Sequence, residues 1–257
     1  ITILGIIEYQ HGHLIEADRQ LTSSLQLWRE VGDLRGLVFC MLYLGAAVFA
    51  LGNYDRVEAI VNESNAIARQ KGDRWAHAFG LDLLGNVSIA RGEVQEAIDS
   101  FRRSLALSQE IGDQWAATLA LIHLGDAHLV HGDRAEAQRL FCEAYDHARK
   151  AHWLSTTLEV LVASLIADEE KSPETRLAIA EAVLSNPAAN LTTRQRAAQL
   201  RDRFTALLTP QQIETARVLA QQKTVEQWAA AFFIGDGAEN RPFGEADWEW
   251  SPEVNSA

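Results

Sequence analysis

Asp82, Asn86 and Asp126 are the residues of this chain best suited to recognise something, because each stands in a stretch that is otherwise largely apolar. A carboxylate in such a setting needs water or a polar partner, and a bound ligand is one such partner. Trp75 and Trp115 stand at equivalent places, each two residues after a Gly-Asp pair. Their broad faces suit either packing at a helix junction or stacking against a ligand. Eight histidines raise the question of a metal. His128 and His131 are three apart and share a helix face, but His123 lies off it and no cysteine or carboxylate set completes the ligands. Asp168, Glu169 and Glu170 sit beside Lys171 and read as a solvated turn. A serine-histidine-acid triad is defined by geometry rather than order, so none is legible. A phosphate-binding GxxxxGK loop followed by Ser or Thr is missing. The expectation is binding without catalysis, with no metal and no cofactor.

The elements that must carry these residues repeat every 40 positions. Leu-Gly stands at Leu4-Gly5, Leu44-Gly45, Leu84-Gly85 and Leu124-Gly125, and a second glycine follows at Gly12, Gly52, Gly92 and Gly132. Such a period marks stacked copies of one unit, each burying its apolar face against its neighbours. Within a unit the Leu-Gly pair falls mid-helix, where glycine costs about 1 kcal/mol relative to alanine. Its recurrence implies that another helix packs closely there. The second glycine ends that helix. A second helix carries a small residue (Ala17, Val57, Ala97, Ala137), a larger one four on (Leu21, Val61, Phe101, Phe141) and a small one three later (Ser24, Ser64, Ser104, Ala144). Those spacings place all of them on one stripe. Gly-Asp closes three units at Gly32-Asp33, Gly72-Asp73 and Gly112-Asp113, glycine stopping one helix and aspartate capping the next. At the fourth junction His152-Trp153 stands instead, so the array degenerates there.

The run from Gly36 to Gly52 is uncharged and almost wholly apolar, yet it keeps the 40-residue phase. It reads as a helix buried on both sides rather than as a membrane span. Beyond Trp153, proline after Ser172 and Thr209 marks helix starts, and Thr224 with Gln227 fits a capping box. Helices are expected over 154–168, 173–185, 192–208, 210–221 and 224–233. Three parts follow: four repeats over 1–151, the first truncated at its N-terminus; degenerate repeats and capping helices over 152–234; and an acidic tail, 235–257, flexible or docked through Trp248 and Trp250.

The formal net charge of -12 across 257 residues argues against direct nucleic-acid binding, which requires cation density. Cys40 and Cys142 lie two and a half repeats apart, roughly 25 Å if each repeat advances the stack by one helix-packing distance, too far for a bridge. A reducing, cytoplasmic setting is expected. The apolar row from Ile1 to Ile7 suggests a piece of a longer chain, with self-association through that exposed edge.

The order Leu-Gly, glycine, small, large and small resembles the tetratricopeptide repeat. The signature alanine falls on Ala17, Ala97 and Ala137 and the aromatic on Phe101 and Phe141. Val57, Leu21 and Val61 depart from the pattern, and the unit is longer than the usual roughly 34 residues. This longer form is similar to the repeats that end bacterial STAND-class signalling ATPases and their transcription-regulator relatives. The stretch from Leu208 to Ala216 with Thr224 to Ala229 is similar to the helical pair closing many of them. The resemblance implies an all-α, right-handed superhelix of antiparallel helix pairs. It also implies a sensor that binds a protein, peptide or small molecule and relays to an upstream nucleotide-binding switch; a non-switching scaffold is the alternative. First helices would line the concave face. That places Phe39, Leu42, Ala46 and Phe49, then Phe79, Asp82, Asn86 and Ile89, then Leu119, Ile122, Asp126 and Leu129 in the groove, with Trp75 and Trp115 nearby.

Overall fold

A computed structural model describes residues 1–168 and 170–234. The tail with Trp248 and Trp250 lies outside the described residues. Thirteen helices follow one another among those residues: α1 (Thr2–Gln10), α2 (Leu14–Val31), α3 (Leu34–Ala50), α4 (Tyr54–Lys71), α5 (Arg74–Arg91), α6 (Val94–Glu110), α7 (Gln114–His131), α8 (Arg134–Lys150), α9 (Leu154–Ala167), α10 (Pro173–Ser185), α11 (Leu191–Thr205), α12 (Pro210–Gln222) and α13 (Val225–Phe233).

The glycines and aspartates act as their positions predict. Gly32, Gly72 and Gly112 have φ of 75°, 68° and 71°, the left-handed geometry that reverses the chain after a helix. Asp33, Asp73 and Asp113 then accept hydrogen bonds from the backbone N–H groups of Gly36, Ala76 and Ala116. At the fourth junction the same bend is kept by His152, at φ 56°. A non-glycine residue there costs on the order of 1 kcal/mol. The junction is maintained by its neighbours, and α9 packs on α8 despite it. Thr209 and Thr224 form capping boxes with Gln212 and Gln227. Asp168 corrects the expected solvated turn. It is buried, accepts from the backbone of Glu170 and Lys171, and pairs with Lys171 Nζ at 2.9 Å.

Mid-helix glycines mark the tightest helix contacts. A Cβ on Gly85 would lie 2.6 Å from the Phe101 ring, and one on Gly125 would lie 2.5 Å from the Phe141 ring. Both rings are almost fully buried. The repeated small-large-small stripe is therefore the knob, and each Leu-Gly pair is the hole.

Each helix packs on the next from α1 to α9. Beyond that, α1 touches α3, α3 touches α5, α5 touches α7 and α7 touches α9, whereas α2, α4, α6 and α8 make no comparable contact with one another. Rows that touch at two-helix spacing lie on the inside of a curve. The odd helices therefore form the concave wall, and the chain is an α–α superhelix. The last helices gather around α9 and α10: α11 and α12 pack on α10, and α13 packs on α9 and α10.

Curvature brings distant parts together. A Cβ on Gly12 would lie 2.6 Å from Leu191 Cδ2, so the turn between α1 and α2 meets the start of α11. The expectation that units touch only their neighbours is thus incomplete. Cys40 is buried, Cys142 is exposed, and both are free. No helix among the described residues is long and apolar enough to cross a membrane.

Candidate functional site

The concave wall has an aromatic part and a polar part. In the first, Phe39 and Tyr43 come from α3 and Trp75 and Phe79 from α5. Residues four apart on one helix face align, and α3 and α5 lie side by side. The four rings close into a square with centroid separations of 4.9 Å (Phe39–Tyr43), 5.9 Å (Tyr43–Phe79), 5.7 Å (Phe79–Trp75) and 6.1 Å (Trp75–Phe39). All four remain partly exposed. Such pairs add about 0.5–1.5 kcal/mol each beyond area burial, so the square is both rigid and accessible.

Leu42 is a correction. It is 0 % exposed and belongs to the core; the offset of about 60° around the helix from Phe39 is enough to turn it between helices rather than into the hollow. Phe49 packs on Tyr54 at 5.6 Å, at the far end of α3 from the square. Trp115 is 44 % exposed and stands apart from the square. Tyr43 completes the square, and sequence reasoning passed over it. The signal was present, since Tyr43 follows Phe39 by one helical turn.

The polar part supplies partners from within. Asn86 donates to the Asp82 backbone carbonyl at 3.0 Å and to its carboxylate at 3.3 Å. His123 Nδ1 lies 2.8 Å from Asp82 Oδ1. Burial alone would lower the pKa of this imidazole. The Asp82 carboxylate, with Glu159 and Asp126 adding to its field, instead raises it to about 9. His123 is therefore a cation at neutral pH. Asp126 receives two hydrogen bonds, 2.7 and 2.6 Å, from the Arg196 guanidinium of α11. The partners that Asp82 and Asp126 require are thus His123 and Arg196.

Glu159, the lone charged residue of α9, faces the same space. Burial is the main cause of its raised pKa; Asp126 and Asp82 push further in that direction while His123 and Arg196 oppose them. Tyr9, reached from α1, also has a raised pKa, through burial first and then through the fields of Glu159 and Tyr43. Tyr9 therefore links the aromatic part to the polar part. His123, Glu159 and Arg196 were not among the expected groove residues. In the sequence His123 reads only as a metal candidate, and Glu159 and Arg196 lie beyond the regular repeats.

His128 is buried, with Nδ1 3.8 Å from Asp133 Oδ2, and burial lowers its pKa. Among the described residues no group of His, Cys, Asp and Glu could hold a metal ion. An open recess of about 990 Å³ lies at the junction rim, between Arg35 and Phe39 on one side and Lys71, Arg74 and Trp75 on the other. Phe39 and Trp75 belong to both recess and square, so the two are continuous.

Residues 78–150 match the tetratricopeptide repeat family. Among solved structures, the chain is similar to the nearly identical TPR-like repeats of a Podosopora anserina protein described as a putative kinesin light chain. The likeness has 15 % sequence identity and a TM-score of 0.51, covering 86 % of this chain and 95 % of that one. A singly substituted form of those repeats gives 17 % identity at the same TM-score, covering 84 % and 94 %. No curated protein matches the chain in sequence. At such identities the likeness speaks for the fold. The chain is an all-α superhelix of the tetratricopeptide type, and over residues 78–150 the match to that repeat family is direct.

Proposed function

We propose that this chain is a sensor module that takes a partner segment into its concave groove and relays the event to a nucleotide-binding switch of a bacterial signalling ATPase in the cytoplasm. One observation carries the binding part of this reading. The Phe39–Tyr43–Phe79–Trp75 square is partly exposed on the inner wall, and aromatic rings held rigid by one another make good anchors. The relay rests on the likeness of the long repeat unit to the STAND-class arms. A ligand drives such a switch only through its differential affinity for two shapes.

A dodecapeptide display library panned on the chain tests this. Binders are expected, and the pair Trp75→Ala and Phe79→Ala should weaken the best of them by about ten-fold or more. Failure to enrich any peptide overturns the groove. Small-angle scattering at saturation then separates relay from scaffold, because a change of shape supports the sensor and an unchanged curve leaves a static scaffold.

The first helix supports self-association. Ile3 and Leu4 are 64 % and 56 % exposed and share α1 with exposed Ile7. Adjacent exposed apolar side chains of this kind favour contact between copies. In size-exclusion chromatography the chain should elute earlier as its concentration rises. Serine at Ile3, Leu4 and Ile7 should abolish that shift; a concentration-independent monomer counts against it.

A further inference from the structure

Three carboxylates of the concave wall, Asp82, Asp126 and Glu159, face only two cations. Asp82 is matched by His123 at 2.8 Å and Asp126 by Arg196 at 2.6 Å. Both matched pairs are largely shielded from solvent. Glu159 has no hydrogen bond and no ion pair among the described residues, although His123, Arg196, Asp126, Asp82 and Tyr9 are all within its electrostatic reach. One carboxyl group is left inside the hollow without a counter-charge, its pKa raised by burial. A carboxylate among apolar neighbours on α9 gains most from an opposite charge brought to it.

Position adds to charge. The aromatic square leads to Tyr43, Tyr43 lies near Tyr9, and Tyr9 lies near Glu159. A segment lying on the square would therefore bring a following side chain over the unmatched carboxylate. An anion would find both cations, His123 and Arg196, already matched there, and among the described residues no group of His, Cys, Asp and Glu could hold a metal ion.

We propose that the hollow is a receptor for one arginine or lysine side chain of a partner peptide, with Glu159 as its counter-ion and the aromatic square seating the neighbouring apolar residue. The assignment rests on the groove reading given above and adds the partner's chemistry to it. Glu159 would act as the residue that selects basic over neutral segments.

The same dodecapeptide library, panned in parallel on the intact chain and on Glu159→Gln, tests the assignment. Glutamine keeps the side-chain shape and removes the charge. Since Glu159 makes no hydrogen bond or ion pair among the described residues, the variant should melt within a few degrees of the parent. Binders to the parent should carry an arginine or lysine at one fixed spacing from an apolar or aromatic residue. Binders to Glu159→Gln should keep the apolar residue and lose the basic one. For the best peptide, its own Arg→Gln change should cost about ten-fold against the parent and almost nothing against Glu159→Gln, the signature of a direct pair in a double-mutant cycle. Peptides that bind without any fixed basic residue, or equal losses against both proteins, would overturn the Glu159 assignment and leave the groove standing. A library yielding no binder would remove both.

Discussion

Phe101→Ala is expected to lower stability by about 3–5 kcal/mol in urea unfolding, because it deletes a ring that is 1 % exposed and leaves a cavity between α5 and α6. The informative result comes from combining it with Gly85. In the parent, a Cβ at Gly85 would stand 2.6 Å from the Phe101 ring. Gly85→Ala should therefore destabilise by about 1–3 kcal/mol through overpacking, even though alanine suits a helix better than glycine by about 1 kcal/mol. Once the ring is gone the clash is gone. In the Phe101→Ala background, Gly85→Ala should stabilise. The change of sign is the prediction. If Gly85→Ala costs the same in both backgrounds, the ring is not what forbids a side chain there. Gly125 and Phe141 repeat the arrangement at 2.5 Å and provide an independent copy of the test.

Stability should also fall as pH rises from about 6.5 to 9. The unfolded imidazole titrates near 6.5, whereas Asp82 beside it lifts folded His123 to about 9. A group whose folded pKa is raised contributes fully below its unfolded value, and the contribution fades as pH climbs through the folded value. The loss over this window should be on the order of 2 kcal/mol. Glu159 acts in the same sense but begins lower, in the carboxylate range, since burial raises its pKa as well. Half-buried His77 and buried His128 have pKa values lowered by desolvation, so their contributions lie below this window. The buried Cys40 thiol enters only near the top of it, its pKa raised by burial. Comparison with His123→Gln isolates the effect: the variant should be flat over the window where the parent slopes. A parallel slope in both proteins would refute the assignment to His123.

Most of the scaffold was legible because its information is local and repeated. Gly32, Asp33 and their counterparts announce helix ends through backbone geometry that few other residues satisfy. Gly85 and Gly125 announce close packing through the helix propensity they sacrifice. The later helices were legible through Ser172, Thr209 and Thr224, whose capping chemistry needs no repeat. The groove was legible only in part. Phe39, Trp75 and Phe79 follow from helix phase, and so does Tyr43 once the phase is extended by a turn. Leu42 was misplaced because only about a sixth of a turn separates it from Phe39 on the inner wall, and a helix between two neighbours has little room for error. The pairing of Asp126 with Arg196 spans 70 residues and depends on how far the array curves. Curvature is a sum of small rotations that no single unit encodes. His123 was nearer to hand, since it falls one place past the position a full period beyond Asp82. Glu159 had its own signal as the lone charge of an apolar helix.

The meeting of Gly12 with Leu191 changes how the whole array should come apart. A linear stack can fray from either tip, one layer at a time, because a terminal layer has only one companion. Here the opening layer also leans on a helix far downstream in the chain, and Arg196 braces that helix against α7. The molecule behaves as a hoop with a clasp rather than as a zipper, so loosening the clasp should soften both margins together while the middle layers stay shut.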